Sequence, residues 1–275
     1  MNTTPFPDAR LRTVDGVRVR CADSGGTAEP TIVLTSPWPE SLYAFAPIWE
    51  TLRAHGRLFA LDLPGFGGSE RREDLLAPHA MGGFLARLID QTGLGRPFIV
   101  APDVGTPAAL FAAADHPGLF AGVIVGAGGT AVPLQLGEPL ASWVLDPDLE
   151  KYRAVDPHAV VNAAMDAHAG NVPDDIRADY LRSYEGDRFV ESMRYVRRYP
   201  EELPLLAHLL PQIAAPVTII AGRHDHVVPL ANAEFLHQRI PNSRLVVLET
   251  GHFAWEESPA EYSTTILDAI AGPRA

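Results

Sequence analysis

Phe98-Ile99-Val100-Ala101-Pro102-Asp103-Val104-Gly105-Thr106-Pro107 is the stretch that decides the fold. Phe98 to Ala101 reads as a short buried strand. Small residues follow, in a helix whose first turn tolerates Pro107. Between them Ala101-Pro102-Asp103-Val104-Gly105 fits the small-x-nucleophile-x-Gly pattern of a sharp strand-to-helix turn that exposes a nucleophile above the sheet. The nucleophile slot holds Asp103. A serine there would attack acyl carbon. A carboxylate there suits displacement at an sp³ carbon, which leaves an alkyl ester on the enzyme and points toward epoxide opening or halide removal.

Outward from this turn, strands are read at 11–14, 17–21, 31–34, 58–61, 98–101, 120–125, 216–221 and 244–248. Helices are read at 42–54, 81–91, 106–114, 230–239 and 261–271. Asp15-Gly16 joins the first two strands as a two-residue hairpin. The later alternation of strand and helix predicts an α/β fold, its mostly parallel sheet flanked by helices on both faces. Between 133 and 205 the alternation stops, and helical periodicity, prolines and charges take over. The expected organisation is core at 1–132, a helical lid at 133–205 and core again at 206–275. Such a lid would lie over the carboxyl ends of the strands, where open α/β sheets bind ligands.

The 275 residues are 47% hydrophobic, enough for a packed core. A net charge of −12 argues against nucleic acid and anionic membranes as partners. Lys151 is the single lysine, which speaks against Schiff-base chemistry, and Cys21 is the single cysteine, so no intrachain disulfide or Cys-based zinc site can form. No apolar run approaches the ~20 residues of a membrane span. The first seven residues lack the basic-then-apolar pattern of a secretory signal. The expectation is a soluble cytoplasmic protein.

Three segments that follow predicted strands carry the chemistry. Asp103 is on the turn, Asp225 lies in Gly222-Arg223-His224-Asp225-His226, and His252 lies in Thr250-Gly251-His252-Phe253. Each alone has a bland explanation, since an aspartate after a strand commonly caps a helix and a Gly-His pair is commonly a loop. Their order, nucleophile then acid then histidine, makes a triad the better reading. His252 would activate water while Asp225 holds its ring. His224 and His226 are read as loop histidines.

With these residues quoted, the chain resembles the α/β-hydrolase superfamily, in the branch that holds epoxide hydrolases and haloalkane dehalogenases. Two further segments carry the resemblance. Asp62-Leu63-Pro64-Gly65-Phe66-Gly67-Gly68-Ser69 is similar to a family loop, to which a structural role is assigned. Ser36-Pro37-Trp38-Pro39 stands where the branch usually has His-Gly-x-Pro, with Ser36 and Pro37 departing from the pattern. The resemblance implies an oxyanion hole from the backbone N–H groups of Trp38 and Val104, and a cis Trp38-Pro39 bond.

What leaves the carbon separates the two activities. An epoxide oxygen needs a proton, which a tyrosine phenol can supply. The segment 133–205 contains Tyr152, Tyr180, Tyr184, Tyr195 and Tyr199. The resemblance implies that lid tyrosines activate the ring, and Tyr195, which precedes the return to the core by roughly the distance of one family tyrosine, is chosen as the proton donor, with Tyr152 as its companion. Dehalogenases favour tryptophan N–H donors and commonly carry Trp after the nucleophile, and fluoroacetate dehalogenases carry Arg there. This chain has Val104. The leading expectation is therefore an epoxide hydrolase without metal or organic cofactor, acting on a small hydrophobic substrate lined by Trp38, Trp143 and Phe253. Trp143 keeps a dehalogenase open as the alternative, and the altered Ser36-Pro37 keeps open a ligand-binding member of the fold. A homodimer is compatible with this reading.

Overall fold

The computed structural model describes residues 6, 8–166 and 172–272. The N-terminal stretch read for a leader lies outside them apart from Phe6. Eight strands form one sheet: β1 (Arg10–Val14), β2 (Val17–Asp23), β3 (Thr31–Thr35), β4 (Arg57–Leu61), β5 (Phe98–Pro102), β6 (Gly122–Gly126), β7 (Val217–Gly222) and β8 (Ser243–Leu248). Their order across the sheet is β1-β2-β4-β3-β5-β6-β7-β8. β1 and β2 pair antiparallel, as do β2 and β4, and every later pair is parallel. This is the mostly parallel α/β sheet that the strand–helix alternation predicts, in the α/β hydrolase fold that the resemblance implies. Asp15 and Gly16 both have positive φ, as the tight turn between β1 and β2 requires.

Burial explains the strand composition. β3, β6 and β7 are buried at every residue, so they read as continuous apolar runs rather than alternating ones. The helix Gly105–Asp115 behind the elbow is almost entirely buried, which accounts for its run of alanines. It packs against the helix Pro78–Thr92, where Gly82 meets Phe111 closely.

Between β6 and β7 the described residues form no strand. The helices there are Leu140–Leu145, Pro157–Asp166, Asp174–Ser183, Arg188–Val196 and Tyr199–Leu209, with a 3₁₀ turn at Glu150–Ala154. The helix Tyr199–Leu209 runs across position 205 and packs on the helix behind the elbow, so its last turn leads directly toward the core. Charged groups tie this insertion to the core. Arg20 on β2 donates through both terminal nitrogens to Asp179, at 2.7 and 2.9 Å, and through Nε to Asp62. Ser41 donates to the same Asp179 at 2.7 Å. Asp62, the first residue of the glycine-rich loop, also accepts from the Leu42 and Gly68 N–H groups. The loop thus fixes the backbone beside the site, the structural role assigned to it. Among the described residues no helix is long and apolar enough to cross a membrane.

Candidate active site

Asp103 sits on the turn with φ +51°, a left-handed conformation that costs a non-glycine residue roughly 1–2 kcal/mol. Backbone hydrogen bonds hold it there: Asp103 N–H donates to Gly126 O and Thr106 N–H donates to Asp103 O, both at 2.9 Å. Gly105 is required because a Cβ would lie 2.2 Å from Thr35 Oγ1, where the new helix passes close over β3. The turn therefore aims the carboxylate out of the carboxyl end of β5 and buries it almost completely.

The two oxygens of Asp103 meet different surroundings. Oδ2 accepts the Trp38 backbone N–H at 2.6 Å, and the carboxylate also accepts the Val104 N–H. Oδ1 faces His252 Nε2 at 3.9 Å. His252 Nδ1 lies 2.8 Å from Asp225 Oδ2, while Asp225 Oδ1 accepts the N–H groups of Val227 and Val228 at 2.9 and 2.7 Å. Those bonds orient Asp225, and Asp225 orients the ring. Burial pushes the Asp103 carboxyl up to about 6 against the pull of His252 and its N–H donors. Burial acts to lower His252, but the charges of Asp225 and Asp103 overcome it and leave the imidazole raised above its ordinary value.

A cavity of about 490 Å³ opens on this group. Trp38, Pro39, Asp103, Val227, His252 and Phe253 line it from the core. The insertion closes it with Pro139, Leu140, Trp143, Ala159, Val160, Ala163 and Ala164. Trp143 meets Trp38 edge-on at 5.4 Å, and Trp38 stacks on Phe189 at 5.3 Å. The Trp38 indole N–H is buried and has no hydrogen-bond partner among the described residues.

The structure thus brings together Asp103, His252, Asp225, the Trp38 and Val104 N–H groups, Trp143 and Phe253. The Trp38-Pro39 bond is cis, as expected. His224 and His226 are exposed on the loop before Val227 and stay out of the site. Two expected residues are corrected. Tyr195 is fully buried with its hydroxyl donating to the Val104 carbonyl oxygen at 2.7 Å, and it does not line the cavity. Its ring packs edge-on against Phe66 and Tyr199, which fixes that direction. Tyr152 donates to the Ser142 carbonyl at 3.2 Å and lines a separate pocket with Val155, Pro157 and Phe189. Sequence distance placed both tyrosines on the insertion but could not say which way each helix face turns. The cavity wall at Ala159, Val160, Ala163 and Ala164 was missed, although its i, i+1, i+4, i+5 spacing marks one helix face.

A profile of the α/β hydrolase fold family matches residues 30–259. The chain belongs to that family. It is 26% identical to a 2-hydroxy-6-oxononadienedioate/2-hydroxy-6-oxononatrienedioate hydrolase of Burkholderia vietnamiensis, over 92% of this chain and 91% of that one. It is also 26% identical to an uncharacterised hydrolase of Bacillus subtilis, YugF, over 95% and 97% of the two chains. Among solved structures, Cfl2 from Burkholderia cenocepacia superposes with a TM-score of 0.83 at 24% identity, covering 98% and 97% of the chains. The epoxide hydrolase CorEH superposes with a TM-score of 0.80 at 18% identity, covering 96% and 98%. These superpositions carry the fold.

Proposed function

We propose that this protein is a hydrolase that works through an alkyl ester on Asp103 and accepts a small apolar substrate. The observation that carries the reading is the occupancy of the two N–H donors. In a serine hydrolase the hole receives the substrate's carbonyl oxygen. Here Trp38 and Val104 already hold the carboxylate of Asp103 itself, so the oxyanion they suit is one formed on Asp103. Oδ1 is left for attack on carbon. The 3.9 Å gap to His252 supports the same division, because an ionised aspartate needs no base to activate it.

The steps follow from these positions. Asp103 Oδ1 forms a bond to the substrate carbon, and the leaving group departs with the bonding electron pair. A water then attacks Cγ of Asp103, passing its proton to His252 Nε2. The Trp38 and Val104 N–H groups stabilise the negative charge on Oδ2, a contact worth ~3 kcal/mol per donor. Collapse expels the alcohol, which takes its proton from His252, and leaves Asp103 as the carboxylic acid, whose proton then passes to His252 and on to solvent to restore the carboxylate. Asp225 stabilises the imidazolium in between.

The cavity favours halide over epoxide as the leaving group. Opening an epoxide calls for a proton donor, and the hydroxyls of Tyr195 and Tyr152 are bonded elsewhere. A halide needs only N–H donation; Trp38 lines the cavity, and its buried indole N–H has no partner among the described residues. Turnover of matched small haloalkanes and terminal epoxides tests this. Halide release faster than diol formation is the expected result. Diol formation as the faster reaction would restore the epoxide reading, and neither product would favour a ligand-binding protein.

A further inference from the structure

Two carboxyl groups that this reaction does not use lie together behind it. Glu40 follows the Trp38-Pro39 donor loop and is 1% exposed, so its charge state depends on its neighbours rather than on solvent. Glu256 stands in the short helix Ala254–Glu257, just after His252. Glu40 Oε1 and Glu256 Oε2 are both buried, and the two side chains come within hydrogen-bonding reach of each other. Two carboxylates have only acceptors to offer, so such a bond requires that one of them carry a proton.

Two neutral donors also serve the pair. Trp255 Nε1 donates to Glu40 Oε2 at 2.9 Å, and the Tyr180 hydroxyl donates to Glu256 Oε1 at 2.9 Å. The titratable groups around the pair are Asp103 from the elbow, Asp179, Tyr180 and Tyr184 from the insertion, His252 from the loop after β8, Glu257 from the short helix Ala254–Glu257, and Tyr262 from the last helix. Burial and then the neighbouring Glu256 push Glu40 well above the usual carboxyl range. Burial and the charges of Glu256 and Glu40 also push the Tyr180 phenol well up.

The pair joins three elements. Glu40 is two residues from the Trp38 N–H that holds Asp103. Trp255, bonded to Glu40, sets its ring edge-on to His252 at 6.1 Å. Tyr180 and Tyr184 come from the insertion, and the Tyr184 hydroxyl donates to the Glu40 carbonyl at 3.0 Å. We propose that Glu40 and Glu256 share one proton at neutral pH. As that single-proton pair they are positioning residues, clamping the donor loop and the His252 loop to the inserted helix Asp174–Ser183.

The shared proton stands on the burial of the pair and on its bonds to Trp255 and Tyr180, while its effect on rate rests on the reading of Asp103 as the alkylated nucleophile. The test separates the two. Infrared spectra of the Asp103→Asn protein at pH 8 are expected to show a protonated-carboxyl band that disappears in both Asp103→Asn/Glu40→Gln and Asp103→Asn/Glu256→Gln. No such band in the parent, or a band that survives both substitutions, would overturn the proposal. In otherwise native enzyme, Glu256→Gln keeps a donor toward Glu40 and is expected to alkylate Asp103 within about threefold of the parent. Glu256→Ala is expected to be slower by about tenfold, the scale of one lost buried hydrogen bond. Equal losses in Gln and Ala would contradict positioning by a shared proton. An intact infrared result with no alkylation in the parent would strike only the reading of Asp103.

Discussion

The core side of the cavity presents Asp103 and His252, each held in direction by hydrogen bonds to backbone or to Asp225. The inserted side presents only apolar groups: Pro139, Leu140, Trp143, Val160 and three alanines. One wall has little freedom because its charged groups must be held by hydrogen bonds in a dry site. The other needs only shape, so it can change without disturbing the chemistry. The difference assigns reaction type to the core and substrate choice to the insertion.

Changes on the core wall should carry the largest effects. Replacing Asp103 with Asn or Ala is expected to lower turnover by about 10⁴-fold or more, the scale seen when a covalent nucleophile is removed. Circular dichroism should show the fold intact. Loss of activity only with loss of fold would remove the evidence for a chemical role.

Acidity should act through the same wall. Attack requires the carboxylate, and the Asp103 carboxyl is pushed up to about 6. The alkylation rate in single turnover is expected to fall about tenfold per pH unit well below 6. Ester hydrolysis needs neutral His252, whose raised value shifts that step's acid limb upward as well. The stability sign is opposite to that of a salt-bridged aspartate. Between the ordinary value of 3.8 and about 6 the unfolded chain releases a proton that the folded protein keeps, so wild-type stability drops across that window. Asp103→Asn should therefore gain stability relative to wild type from pH 4 to 6 and level off above it. Calorimetry over that range would show it, and a constant difference would contradict the buried, proton-holding carboxyl.

The insertion should respond more mildly. Ala163→Leu extends a side chain into the cavity and is expected to raise KM for bulky substrates about tenfold while leaving the rate with the smallest substrate within a few-fold. A matching collapse of kcat for every substrate would break the division between the walls. Smaller still, Tyr195→Phe removes a hydroxyl that holds the Val104 carbonyl, and should cost about 1 kcal/mol of stability with little change in rate. A large selective loss of epoxide opening in that variant would return Tyr195 to the chemistry.

The same two walls differ in how far the sequence reveals them. Asp103, Asp225 and His252 are legible because each follows a strand whose apolar run is unmistakable, and because their chain order admits few arrangements in an α/β sheet. The Trp38 donor is legible through Pro39 despite the unusual Ser36-Pro37. On the insertion, helices are legible but their rotation is not. Tyr195 and Tyr152 sit in the right segment and turn to carbonyls rather than to the cavity, because packing against Phe66 and Tyr199 in one case and the bond to Ser142 in the other decides their direction. The Glu40–Glu256 pair is invisible in sequence for a simpler reason: 215 positions separate Glu40 from Trp255, and nothing local marks residues so distant as neighbours.

The alkyl ester on Asp103 can be seen directly in His252→Gln, which keeps the nucleophile and its donors but lacks the base that releases the ester. Intact-mass measurement after exposure to a panel of small haloalkanes and epoxides is expected to show one stable adduct, located on the peptide that contains Asp103. A gain equal to the alkyl group without halide identifies displacement, and a gain equal to a whole epoxide identifies ring opening. An adduct absent from the His252→Gln protein while the parent enzyme turns over the same compound would contradict covalent catalysis by Asp103.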